Sequence, residues 1–381
     1  MPNLFDYLDW RGGLTFAEES FCDVDALCLA ELAYAEVWDA VRDPVGMPLS
    51  AVARLQGQVS GYPDGAAARC GRFLRAMGQT RRFMDLRACR FADALDRDRG
   101  IQFAAVCFDV KGLGRIVSFR GTDGTIVGWH EDFAMFYESP IPAQAEAVAY
   151  TRQAAETDVP LILTGHSKGG NLSSYTAVHL PEEIQNRVLA AWSFDGPGLD
   201  DRVLSTEAYA RIKPRLFSVI PEASFIGLLL GYNTDYKVVR SDGAAMRQHD
   251  PFTWQICQPG IFDQVDSASL PSRVIDRSMH ECLRRITPAQ RETVIESLFR
   301  VVESSGATTT AELGAGIKAN LPRVLLAVAG IDSETRTVAQ SQLQTALISG
   351  AANLIAEGAT DLLKLGANRV LKRLFGEKQD A

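Results

Sequence analysis

The sequence predicts an α/β fold with a mostly parallel central sheet flanked by helices and a C-terminal helical appendage. Three observations carry that expectation. β-rich runs alternate with helical runs from Phe103 to Arg240, the order that yields a parallel sheet covered on both faces. The run Pro160 to Thr164 is short and apolar, as a strand buried on both faces should be. After about Ser272 the pattern is helical throughout.

Bulk properties narrow the function. Hydrophobic residues make up 46% of the 381-residue chain and charged residues 23%, an ordinary balance for a folded globular protein. The net charge of -8 argues against a nucleic-acid partner, which needs clustered Lys and Arg. A neutral ester or lipid substrate stays admissible. Met1 to Trp10 carries Asp6 and Asp9 and no apolar signal core, so a cytoplasmic protein is expected. No apolar run approaches the roughly 20 residues of a membrane span. The seven cysteines form no C-x-x-C pair and read as free thiols in a reducing compartment. No zinc-ligand spacing is present, and neither a metal nor a cofactor is expected.

Along the chain, Asn3 to Thr15 reads as a polar lead and Asp23 to Val41 as an amphipathic helix. Pro44 to Pro63 is dotted with Gly and Pro and reads as loop, while Ala66 to Met77 and Thr80 to Leu86 look helical. Phe103 to Val110 and Arg115 to Phe119 are strands separated by the hairpin signal Lys111-Gly112-Leu113-Gly114. Gln144 to Glu156 and Asn171 to Leu180 are helices. Val188 to Phe194, Arg215 to Ile220 and Tyr236 to Arg240 are further strands. Thr287 to Ser304 is a helix, and Ala311 to Gly330 and Ser341 to Phe375 are amphipathic, with a basic end at Lys364, Arg369, Lys372 and Arg373. The expected division is a domain over 1–270, mostly helical to 100 with its core over 101–270, and a helical region over 271–381.

The chemistry sits where Leu161 to Thr164 runs into Gly165-His166-Ser167-Lys168-Gly169-Gly170. This is G-x-S-x-G between a strand and a helix. A serine on so sharp a turn projects its Oγ from the carboxyl edge of the sheet. The helix behind it aims its N-terminal amides at any developing oxyanion. A chance match to a short motif is the competing reading.

Serine needs a base and an orienting acid to become a nucleophile. Of the histidines after Ser167, His179 rides away on the following helix and His280 lies on a helix face. His249, in Gln248-His249-Asp250-Pro251, follows the last strand of the run and is the candidate base. Two acids compete. Asp195 in Asp195-Gly196-Pro197-Gly198 ends the strand after the nucleophile's, and Glu222 in Pro221-Glu222-Ala223 ends the next. The tight turn at Asp195 favours it, although a turn-capping aspartate looks the same. The oxyanion donors are expected from the amide of Lys168 and from Thr122 in Phe119-Arg120-Gly121-Thr122-Asp123. An ordinary turn with Asp123 paired to Arg120 is the alternative there.

Phe119-Arg120-Gly121-Thr122, Gly165 to Gly170 and Phe194 to Gly198 together resemble the class 3 (fungal-type) lipases of the α/β-hydrolase superfamily. With Gly128-Trp129-His130-Glu131-Asp132 and Gln248 to Pro251, the chain looks closest to a bacterial lipase-like family of mostly unassigned function, over roughly residues 3 to 260. The resemblance implies ester hydrolysis, with Ser167 as nucleophile, His249 as base and Thr122 as oxyanion donor. The chain departs at the acid. Class 3 lipases carry an Asp after the strand matched by Arg215 to Ile220, where this chain has Glu222. Pancreatic-type lipases set a precedent for Asp195.

Ser224 to Tyr232 is apolar enough to wall an acyl pocket, with Phe225 and Leu228 as lining candidates, or to be core. Ile126 to Tyr137, carrying Trp129, Phe133, Phe136 and Tyr137, reads as a pocket flap or as a helix packed on the sheet. The C-terminal helices suit a peripheral membrane contact, self-association or a plain helical cap. The functions in play are a lipase or esterase, a thioesterase or acyltransferase using the same triad, and a binding module that kept the fold without catalysis.

Overall fold

The computed structural model describes residues 1–56, 66–231, 236–284, 286–304, 306–309 and 312. The chain divides into two units, Met1–Ala268 and Ser269–Ala381. In the second unit the described helices are Leu270–Arg284 and Pro288–Ser304. The expected helices over 311–330 and 341–375, with their basic end, lie outside the described residues.

In the first unit, strands β1 (Met47–Pro48), β2 (Arg87–Asp96), β3 (Ile101–Val110), β4 (Gly114–Phe119), β5 (Leu161–His166), β6 (Val188–Phe194), β7 (Leu216–Pro221) and β8 (Tyr236–Val239) build one sheet in chain order. Two more two-residue strands, β9 (Ile256–Cys257) and β10 (Ile261–Phe262), pair with each other, and β11 (Gln264–Val265) closes the main sheet against β8. Pairing is antiparallel from β1 to β4 and parallel from β4 to β8. The sheet is thus mixed, and its parallel half carries the motifs. Every residue of β5 is buried, as its apolar sequence requires of a central strand covered on both faces.

Helices α1 (Leu4–Arg11), α2 (Asp23–Leu32), α3 (Leu49–Gln56) and α4 (Ala66–Met77) form the N-terminal part. The core around α2 gathers Leu27, Leu29, Trp38 and Phe73 with Ile116 and Ile162 from the sheet. A second core gathers Phe103, Val117 and Leu163 with Ala147 of α6 (Pro142–Ala154) and Leu172 of α7 (Lys168–His179). Helix α5 (Ile126–Ala134) precedes these.

Several sequence expectations change. The polar lead is a helix, started by a capping box in which Asn3 accepts from the Phe5 amide and Asp6 accepts from the Asn3 amide. The segment 23–41 is a helix only to Leu32. There Trp38 turns back, and its indole N–H donates to the Leu32 carbonyl at 2.9 Å. The helix is buried almost all round rather than amphipathic, because it is a core helix. Thr80 to Leu86 is a series of turns. Arg87–Asp96 is an unforeseen strand; its alternation is broken at Arg90 (φ 58°), where the register with β3 shifts.

Candidate active site

The site lies at the carboxyl edge of the parallel strands, the edge on which open α/β sheets place their chemistry. Ser167 follows β5 with φ 58° and ψ -131°, a conformation a side-chain-bearing residue adopts only under constraint. The surrounding glycines provide that constraint. A Cβ on Gly165 would sit 2.1 Å from the Gly169 carbonyl oxygen, and one on Gly169 would sit 2.2 Å from the Phe119 carbonyl oxygen. The elbow therefore closes only with glycine at both positions.

Ser167 Oγ lies 3.0 Å from His249 Nε2, and His249 Nδ1 lies 2.6 Å from Asp195 Oδ2. His249 sits in a 3-10 turn, Ala245–His249, after β8. Asp195 follows β6, is 1% exposed, and also has positive φ (45°). Its second oxygen, Oδ1, accepts from Ser224 Oγ at 2.5 Å and from the Gly227 amide at 3.0 Å. Both imidazole nitrogens of His249 are thus engaged. Glu222 stands at the end of the next strand, its amide held by the Val239 carbonyl at 2.9 Å; the carboxylate on His249 is that of Asp195. His179 stacks on Tyr175 along α7, and His280 lies on the helix Leu270–Arg284.

The two expected oxyanion donors belong to segments next to Ser167: Lys168 follows it, and Gly121, beside Thr122, packs against it. Lys168 opens α7, so its amide has no intrahelical partner. The Phe119 to Thr122 loop presses against the elbow: a Cβ on Gly121 would lie 3.1 Å from Ser167 Cβ. The Thr122 hydroxyl donates to Asp132 Oδ2. Arg120 and Asp123 do form the expected turn pair, at 3.6 Å, alongside this arrangement.

The Lys168 side chain has a separate role that sequence reasoning missed. It is fully buried, and its Nζ donates to the Gln102 carbonyl at 2.8 Å, Gln102 Oε1 at 2.7 Å and Glu131 Oε2 at 2.9 Å. Glu131 also accepts from the amides of Gln102 and Ala143. Asp132 Oδ1 is 3.7 Å from the ammonium. Burial pushes the Asp132 carboxyl up to about 6, against the opposing pull of Lys168 and the Thr122 hydroxyl. The signal in the sequence was the lysine itself: next to a buried elbow it needs a carboxylate partner.

The pocket candidates separate. Leu228 is 4% exposed and packs with Ile220 and Val238, so it is core. Phe225 is half-buried beside it, in the segment that anchors Asp195. Trp129 is 40% exposed on α5. That helix packs through Ile126, Gly128, Glu131 and Ala134. It is a helix tied to the sheet by Glu131, with Trp129 on its outer side. Tyr232 lies outside the described residues. Among the described residues no cluster of His, Cys, Asp and Glu is placed to hold a metal ion, and no helix is long and apolar enough to cross a membrane.

A search of curated proteins finds no match. Among solved structures, the crystal structure of M37 lipase is similar at 13% sequence identity, over 55% of this chain and 70% of that one, with a TM-score of 0.34. That overlap is too loose to carry any function across. The Mbeg1-like family model matches residues 77–300, a span that includes Thr122, Ser167, Asp195 and His249. Since it covers more than half of the sequence, the chain belongs to the Mbeg1-like family.

Proposed function

We propose that the protein is a serine hydrolase that cleaves carboxylic esters through an acyl-serine intermediate. The observation that carries this reading is the continuous hydrogen-bonded line from Ser167 Oγ through His249 to Asp195, set on a strained elbow. In the proposed reaction, Ser167 Oγ attacks the ester carbonyl carbon while His249 Nε2 takes its proton. The Asp195 carboxylate holds Nδ1–H and stabilises the imidazolium. The Lys168 amide, with the Thr122 residue across from it, faces the oxyanion of the tetrahedral intermediate. His249 then gives its proton to the leaving alkoxide, and the alcohol departs. Water, deprotonated by the same nitrogen, attacks the acyl-serine; the acid leaves and Ser167 regains its proton.

The same line serves thioesters and transfer to other acceptors. A panel of model oxygen esters and thioesters of increasing chain length ranks these substrates. A fluorophosphonate probe is expected to label the wild-type protein and not Ser167→Ala. Absence of labelling on folded wild type would overturn the proposal in favour of a non-catalytic binding module.

A further inference from the structure

Next to His249 lies a second histidine, His166, that the reaction above does not use. His166 is 7% exposed, its ring centroid is 4.6 Å from that of His249, and its Nε2 lies 2.8 Å from the His249 carbonyl oxygen. A carbonyl only accepts, so Nε2 carries the hydrogen and a neutral ring leaves Nδ1 as an acceptor. Two groups face Nδ1. The Tyr34 hydroxyl, 3.3 Å away, shares its hydrogen between Nδ1 and the His166 carbonyl at 3.2 Å, while its oxygen accepts from the Gly121 amide at 3.1 Å. Glu31 Oε1 approaches to 3.4 Å from buried helix α2, and that buried oxygen has no hydrogen-bond partner among the described residues.

We propose that Glu31 and His166 are a positioning pair for His249. A protonated Glu31 carboxyl donates to His166 Nδ1, and His166 Nε2–H clamps the His249 carbonyl, so that the His249 imidazole is presented between Ser167 and Asp195. The surroundings supply the neutral carboxyl this requires. Arg69 of α4 is held by Asp250 at 2.7 Å, so its charge is already matched, and Cys70 Sγ is 4.0 Å from Glu31 Oε2. Burial first, then the Asp250 charge, push the Glu31 carboxyl up to about 8 against the pull of Arg69. Burial, and then the neighbouring His249, hold His166 well below its usual value and therefore neutral. Among the described residues, Tyr34 joins these groups around Glu31.

The pair deepens the hydrolase reading, and its test separates the two. In Glu31→Leu and His166→Phe, which remove the donors but keep bulk, kcat is expected to fall about ten- to a hundred-fold with KM within about two-fold, the cost of a misoriented base. Glu31→Gln keeps an N–H toward Nδ1 and is expected to stay within about two-fold of wild type. It should also lose the basic-limb transition expected of wild type near pH 8 as Glu31 ionises. Proton NMR of the His249 Nδ1–H signal, assigned by its loss in His249→Asn, needs no turnover. That signal should shift or broaden in Glu31→Leu and persist in Glu31→Gln. An unaltered signal in Glu31→Leu and His166→Phe overturns the positioning pair. An absence of ester turnover in wild type overturns only the hydrolase reading, and the NMR outcome still decides the pair.

Discussion

At the scale of single residues, three side chains from three separate loops meet within hydrogen-bond reach, and most of them were readable beforehand. Ser167 announced itself because glycines had to surround it. His249 could be picked out because the other late histidines sat on helices. Between Asp195 and Glu222, which end adjacent parallel strands, only the tight turn after Asp195 favoured the residue that meets His249; the geometry turns on the backbone at Asp195 and on the Gly227 amide, which no local pattern encodes. Asp195→Asn should leave the fold intact and lower kcat by about four orders of magnitude, as loss of the orienting acid does in a serine triad. Glu222→Gln should leave kcat within about two-fold. The buried titratable groups set a pH signature. His166 is depressed, so its contribution to stability is present above its unfolded value of 6.5 and is lost as pH falls below that. Glu31 is raised from 4.5 to about 8, so its contribution is full below 4.5 and is lost as pH rises through 8. Thermal unfolding across pH 4 to 9 checks both signs: Glu31→Gln should gain on wild type with rising pH, and the difference should be greatest at pH 9.

At the scale of elements, strands with one clear period were legible and context-dependent ones were not. β5 was found from its apolar start, Leu161-Ile162-Leu163, running into the elbow. β2 was missed because the bulge at Arg90 interrupts its alternation. Helix α2 was drawn too long because its burial on all sides hides the stop at Leu32. The joint between α7, α5 and β3 rests on Lys168, whose ammonium is shared by Gln102 and Glu131. Removing one member of a buried ion pair leaves the other without a partner, so Lys168→Met should destabilise by about 3–5 kcal/mol. The elbow makes a similar demand on its glycines: Gly165→Ala drives a Cβ against the Gly169 backbone and should cost about 1–3 kcal/mol or more. Chemical denaturation of each variant measures both.

At the scale of the whole molecule, every residue assigned to the proposed reaction lies in the unit Met1–Ala268. A chain ending at Ala268 should therefore keep the fluorophosphonate labelling rate of the full chain within about three-fold, the range left by changes remote from a site. A larger loss would assign the C-terminal unit a part in the site. The fold class was legible because alternation of strand and helix is a long-range rhythm that single misjudged elements do not erase, whereas the outer antiparallel pairs, β1 with β2 and β2 with β3, depended on β2. The account as a whole rests on Ser167 being a nucleophile activated by His249 and Asp195. The most direct measurement is the rate of fluorophosphonate labelling of wild type, Ser167→Ala, His249→Asn and Asp195→Asn. Labelling confined to Ser167 in wild type and strongly slowed by both partner substitutions is the predicted result. Equal labelling in Ser167→Ala, or none in folded wild type, would contradict it.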